Sequence, residues 1–190
     1  MLACQQKTDE SNRIVTTDID NFWQAYDQIT ATTDSAEQYK YLQELFLDQG
    51  TEGLEGIRSA RRYTAKDYIN AINRYPAYWE SIREKTLKSK ELAGEINAGV
   101  ELLRKVYPDL KPGKVYFEIG VFRTPGTTLD SMVLIGAEMA LGDEFVDTSE
   151  FPERLNYVKN YLKSNPVENI VFLNVHEFIH TQQQNHDNIL

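Results

Sequence analysis

Lys114-Val115-Tyr116-Phe117-Glu118-Ile119-Gly120-Val121-Phe122 is the stretch on which the fold turns. β-Branched and aromatic residues dominate it, and Pro112-Gly113 just ahead is a turn signal, so residues 114–122 read as a strand. A second turn signal, Pro125-Gly126, leads to a second apolar strand at residues 132–135 (MVLI), with Gly136-Ala137-Glu138 running out of it. Upstream, residues 18–110 show a different period. Phe22, Trp23, Tyr26 and Ile29 recur at spacings of three and four, as do Tyr39, Leu42, Leu45 and Phe46, which is the mark of amphipathic helices. Downstream, residues 152–163 and 167–184 read as helices again, with Asn165-Pro166 between them. Helices, a small sheet, then helices describe an α+β fold rather than an alternating α/β one.

Within the helical part, Asp34 and Ser35 are placed to cap the second helix, Gly50 to end it, and Pro76 to start or kink another. Residues 79–107 read as one long helix with Ile82, Ile96, Val100 and Leu103 on its buried side. Its charges Arg83, Lys85, Lys88 and Lys90 form a solvated face. Between Glu138 and Glu153 stand six acidic residues and no basic one, without the alternation of a calcium loop, so this segment reads as a solvated loop. The chain has 190 residues, 41% of them hydrophobic, which suffices for one packed domain and excludes a disordered chain. The 20 basic against 29 acidic residues leave a net charge of −9 with no basic block, so nucleic acid is excluded as a partner.

Chemistry concentrates in the last helix, at His176-Glu177-Phe178-Ile179-His180. Histidines four apart lie about 40° apart around a helix and one turn along it, so both imidazoles can reach one ion. Glu177 projects about 100° from His176 and can reach the position where a water on that ion would sit. Two His ligands, a water of lowered pKa and a carboxylate that passes its proton to a leaving amine make up the zinc-hydrolase arrangement, with Zn2+ as cofactor. Val171, Val175, Phe178 and Ile179 would form the apolar back of the helix, away from the histidines. The plainer alternative is a pair of structural imidazoles bonded to carbonyls or carboxylates. Catalytic zinc needs a third protein ligand. His186 stands six residues after His180, as in HExxHxxGxxH, but Gln183 occupies the place of the turn-making Gly. The third ligand is therefore either His186 or a Glu beyond Leu190.

The N-terminus opens Met1-Leu2-Ala3-Cys4 and continues into a polar run, so residues 1–17 read as a tether. Small and apolar residues ending in cysteine resemble the cleavage site of a bacterial lipoprotein signal, without the upstream apolar stretch. Cys4, the single cysteine, is then a lipid anchor and the sole membrane attachment expected. With the N-terminus taken as written, the alternative is a cytoplasmic chain with an ordinary thiol.

Three stretches together carry a resemblance: Asp48-Gln49-Gly50-Thr51-Glu52-Gly53-Leu54; Gly126-Thr127-Thr128 with Leu134-Ile135-Gly136-Ala137-Glu138-Met139; and Val175 through Gln183. The chain resembles a family of bacterial cell-envelope proteins inferred to be zinc-dependent proteases of gluzincin type, related to gliding-motility lipoproteins. The resemblance implies His176 and His180 as zinc ligands, Glu177 as general base, and a later Glu on a second helix, so that residues 18–190 would be an incomplete zincin-like domain. It also implies that residues 132–135 form the edge strand along which an extended peptide pairs, with Gly136 giving the substrate backbone room; the alternative is that they are simply a buried core strand. The expected function is hydrolysis of a peptide or protein substrate in the cell envelope. The alternative is a non-catalytic envelope lipoprotein that keeps the zincin-like fold to bind a partner.

Overall fold

The computed structural model describes residues 13–164 and 169–182. Cys4 and His186 lie outside them. The architecture is mixed α+β, as the order of patterns predicts. After a two-residue strand β1 (Ile14–Val15) come α1 (Thr17–Thr30), α2 (Ser35–Leu42, extended by a π-helical turn over Gln43–Leu47), α3 (Glu52–Arg61), α4 (Ala65–Arg74), α5 (Pro76–Leu87) and α6 (Ala93–Val106). Strands β2 (Lys114–Glu118), β3 (Thr127–Leu129) and β4 (Met132–Gly136) follow, then α7 (Ala137–Ala140), α8 (Asn156–Ser164) and α9 (Ile170–His180).

Side-chain caps fix several helix starts. Asp34 accepts from the Ala36 and Glu37 amides at the head of α2, as expected from the sequence. Thr64 and Asp67 form a reciprocal capping box at α4. The predicted 79–107 helix is instead two helices joined by a 3-10 stretch, Lys88–Leu92. Thr86 explains the break. Its hydroxyl donates to the Arg83 carbonyl at 2.8 Å while accepting from the Trp23 indole at 2.9 Å. That back-bond competes with the helical ladder and tightens the chain just where Ser89 turns inward and is fully buried. The charges of α5 do face outward, but in pairs: Arg83 grips Asp27 with two bonds, at 2.6 and 2.8 Å.

The sheet order is β1-β2-β4-β3, with β1, β2 and β4 parallel and β3 antiparallel to β4. Parallel strands need both faces covered, which accounts for the unbroken apolar runs of β2 and β4. The consequence corrects one expectation. Residues 132–135 lie in the interior of the sheet, hydrogen-bonded on both sides, so they are not a substrate-pairing edge; β3 is the edge on that side. Strand β2 is also shorter than its pattern predicts, because the chain after Glu118 leaves the ladder to bond a buried carboxylate, that of Glu138. An aromatic cluster forms the helical core, with Phe22 packed on Trp23, Phe46 and Trp79 at centroid distances of 5.0–5.4 Å.

Candidate functional site

Helix α9 is seated by three buried residues, Ile170, Asn174 and Phe178, which fall on one stripe. Phe178 lies against Gly113, where an added Cβ would come within 3.1 Å of its ring. Val171 and Val175 press onto α6 at Gly99, whose bare Cα lets the two helices approach closely. Ile179, expected on the buried back, is instead exposed, as is Phe172. The helical period explains this: Ile179 stands about 100° from Phe178 and belongs to the flank nearer the histidines.

On the opposite side the two imidazoles converge. Nε2 of His176 and Nε2 of His180 are 3.1 Å apart, with ring planes at 82°. Two ligands on a tetrahedral zinc at about 2.0–2.1 Å would hold their nitrogens roughly 3.3 Å apart, so the donor pair fits the ion with little movement. The same spacing also suits one ring donating to the other. Glu177 is half-buried and reaches the edge strand: a Cβ added at Gly126 would lie 3.3 Å from its Cγ and 3.4 Å from its Oε1. The carboxylate therefore sits between the histidine face and the start of β3. Among the described residues no group of three metal-ligating side chains is assembled.

Sequence reasoning passes over two buried carboxyl groups. Glu138, read as part of a solvated acidic loop, is fully buried. Its two oxygens accept from the Gly120 amide at 2.9 Å and the Phe122 amide at 3.1 Å. Burial pushes its pKa up to about 7, against the lowering pull of those amides. It thereby shapes the loop after β2, in which Phe122 takes a left-handed φ of 65°. Tyr68 donates to the Ile119 carbonyl and Tyr157 to that of Phe122, completing the clamp. The signal that could have exposed Glu138 is its setting, Ala137-Glu138-Met139-Ala140 directly after an apolar strand.

The second group is Glu118, at the end of β2 and also fully buried. Thr51, the cap of α3, donates its amide to both oxygens of Asp18 at 3.1 and 3.2 Å and its hydroxyl to one of them at 2.5 Å. That hydroxyl lies 3.5 Å from Glu118. Burial first, and then the adjacent Asp18, raise the Glu118 pKa well above the usual carboxylate range. The shift favours the protonated form of Glu118 beside Asp18. Gly53 lets this corner close, since a side chain there would overlap Glu118 and Tyr116.

The three parts — the Asp18–Thr51–Glu118 corner, the Glu138 clamp and α9 — fall within one matched span. The family model for gliding motility protein GldB covers residues 3–190. The chain belongs to that lipoprotein family. No curated protein and no solved structure matches it. Membership in the GldB family supports the lipoprotein side of the resemblance and an envelope setting, and Cys4 lies at the start of the matched span. The protease side rests on α9. Among the described residues of this GldB-family chain, no helix is long and apolar enough to cross a membrane.

Proposed function

We propose that this chain is an envelope lipoprotein, anchored through Cys4, whose α9 carries a zinc-dependent peptidase centre. The observation that carries the reading is the convergence of His176 and His180 with Glu177 turned toward the edge of the sheet. In this reading His176 and His180 hold the ion through their Nε2 atoms. Zinc, when bound, would supply Lewis acidity to a water and to a peptide carbonyl. Glu177 takes the proton from the attacking water at its carboxylate and returns it to the leaving nitrogen. The edge strand β3, corrected from residues 132–135, offers its unpaired side to an extended peptide by main-chain hydrogen bonding. Within the sequence given, His186 is the candidate that would complete the donor set.

A specific observation favours a second reading. Leu102 and Val106 on α6, Tyr107 just after it, and Phe172 and Ile179 on α9 are exposed, and the two helices pack together. An apolar surface of this kind suits docking to another envelope protein without catalysis. Zinc content and peptide hydrolysis of wild type, His176→Ala, His180→Ala and Glu177→Gln decide between them. The peptidase reading expects zinc loss in both histidine variants, and zinc retention with loss of hydrolysis in Glu177→Gln. Equal zinc content in all four proteins, or full hydrolysis by Glu177→Gln, overturns it.

A further inference from the structure

A cavity of about 350 Å³ opens between the C-terminal end of α4, the loop after β2 and the 3-10 turn Glu153–Leu155 that leads into α8. None of its lining residues comes from α9, so it is separate from the histidine pair. Three guanidinium groups line it, Arg74, Arg123 and Arg154, against one carboxylate, Asp67. In a chain of net charge −9, this leaves two positive charges gathered at one concavity.

The three arginines are committed to different degrees. Arg123 is held in place: it donates to the Arg61 and Arg62 carbonyls at 2.9 and 2.7 Å, pairs with Asp67 at 3.3 Å and lies over the Tyr63 ring. Its backbone is held too, since Phe122 beside it bonds the buried Glu138. Arg154 gives one N–H to the Tyr75 hydroxyl at 2.8 Å. The Arg74 side chain makes no hydrogen bond or ion pair among the described residues. A guanidinium carries five N–H donors, so Arg74 and Arg154 together present about nine uncommitted ones. A carboxylate, with two oxygens and one charge, satisfies neither the donors nor the charge. A phosphate monoester, with three free oxygens and a charge near −2, satisfies both. The cavity also takes more than a bare anion, because Val121 and Tyr157 supply apolar wall for an attached group and Asn70 a polar contact.

We propose that this cavity is a binding site for a phosphate monoester, with Arg74 and Arg154 grasping the phosphate and Arg123 supplying fixed charge. The phosphate can belong to a soluble metabolite or to a lipid headgroup, and the chemistry at the arginines is the same. The test is calorimetric titration of the full chain with glucose 6-phosphate, with glucose as the uncharged control. Sedimentation with vesicles of phosphatidylcholine, with or without phosphatidic acid, provides the lipid arm. Saturable binding in either arm is expected, weakened on the order of tenfold by Arg74→Ala, unchanged by Lys88→Ala outside the cavity, and partly restored by Arg74→Lys. Binding of the sugar phosphate alone assigns a soluble ligand, and binding of phosphatidic acid vesicles alone assigns a headgroup. Because Arg74 is exposed at the end of α4, Arg74→Ala should fold as wild type does, which circular dichroism checks. The absence of saturable binding in both arms, or equal binding by wild type and Arg74→Ala, overturns the proposal.

Discussion

Replacing Gly53 with alanine should loosen α3 from the sheet, although helix propensity alone argues for the opposite. Alanine is favoured over glycine inside a helix by about 0.8–1.0 kcal/mol. At Gly53, however, the added Cβ would overlap Glu118 Oε1 and the Cβ and Cγ of Tyr116, so the start of α3 must lift from β2. Overpacking of this kind costs about 1–3 kcal/mol. Lifting α3 also strains the Thr51 bonds to Asp18, and a buried polar group left unsatisfied costs a further 1–3 kcal/mol or so. Against the propensity gain, a net loss of about 1–5 kcal/mol is expected. Gly94 in α6 is the matched control: a Cβ there meets nothing within 4 Å, so Gly94→Ala should gain roughly 0.5–1 kcal/mol. Equilibrium urea unfolding followed by circular dichroism separates the two. With a slope of about 2 kcal/mol per molar, the midpoint should fall by roughly 0.5–2.5 M for Gly53→Ala and rise by a few tenths for Gly94→Ala. If both variants move the midpoint the same way, steric contact with β2 is not what selects glycine at position 53.

Glu138 has a folded pKa of about 7 against an ordinary 4.5, so the folded state holds its proton more tightly. Its contribution is fully present below about pH 4.5 and is lost as pH rises through 7, so urea midpoints should decline between pH 5 and 8.5, by about 3 kcal/mol from this group. Glu118 is shifted in the same direction, so Glu118→Gln, which keeps a donor toward Asp18, should flatten that decline; an unchanged slope would show that Glu118 is ionised in the folded protein. Thr64→Ala should cost about 1 kcal/mol by the same assay, through loss of the capping box of α4, and Thr64→Ser should recover most of it.

The histidine pair was legible because its geometry is local: four residues of helix fix the angle and rise between His176 and His180 whatever surrounds them. The same holds for the Asp34 cap and for the sequence of helical and extended segments. Strand order is not local. Residues 132–135 look the same in sequence whether they are an edge or an interior strand, and their place follows from parallel pairing with β2, which residues 14–15 join from a hundred positions away. Strand β3 has three residues, too few to show a period. Glu138 was hidden by its company, since one inward carboxylate in a run of acids does not differ in composition from its solvated neighbours. The cavity arginines were invisible for a related reason. Arg74, Arg123 and Arg154 are spread over 80 residues, and only the fold gathers them.

Strand β1 gives the domain a defined point of mechanical entry. Among the described residues, a pull from the N-terminal side first meets Ile14 and Val15, held by pairing with Val115 and Tyr116 and by the Arg13 carbonyl, which accepts from the Val115 amide. The Arg13 side chain adds bonds to Asn97 and Glu101 on α6. This short edge is held by two residue pairs, while β2 and β4 behind it are paired over five. Under load it should peel before anything else yields. Each freed residue then adds up to about 3.5 Å of reach. A fold built this way can yield on its N-terminal side and leave α9 and the arginine cavity undisturbed, because neither draws a residue from β1.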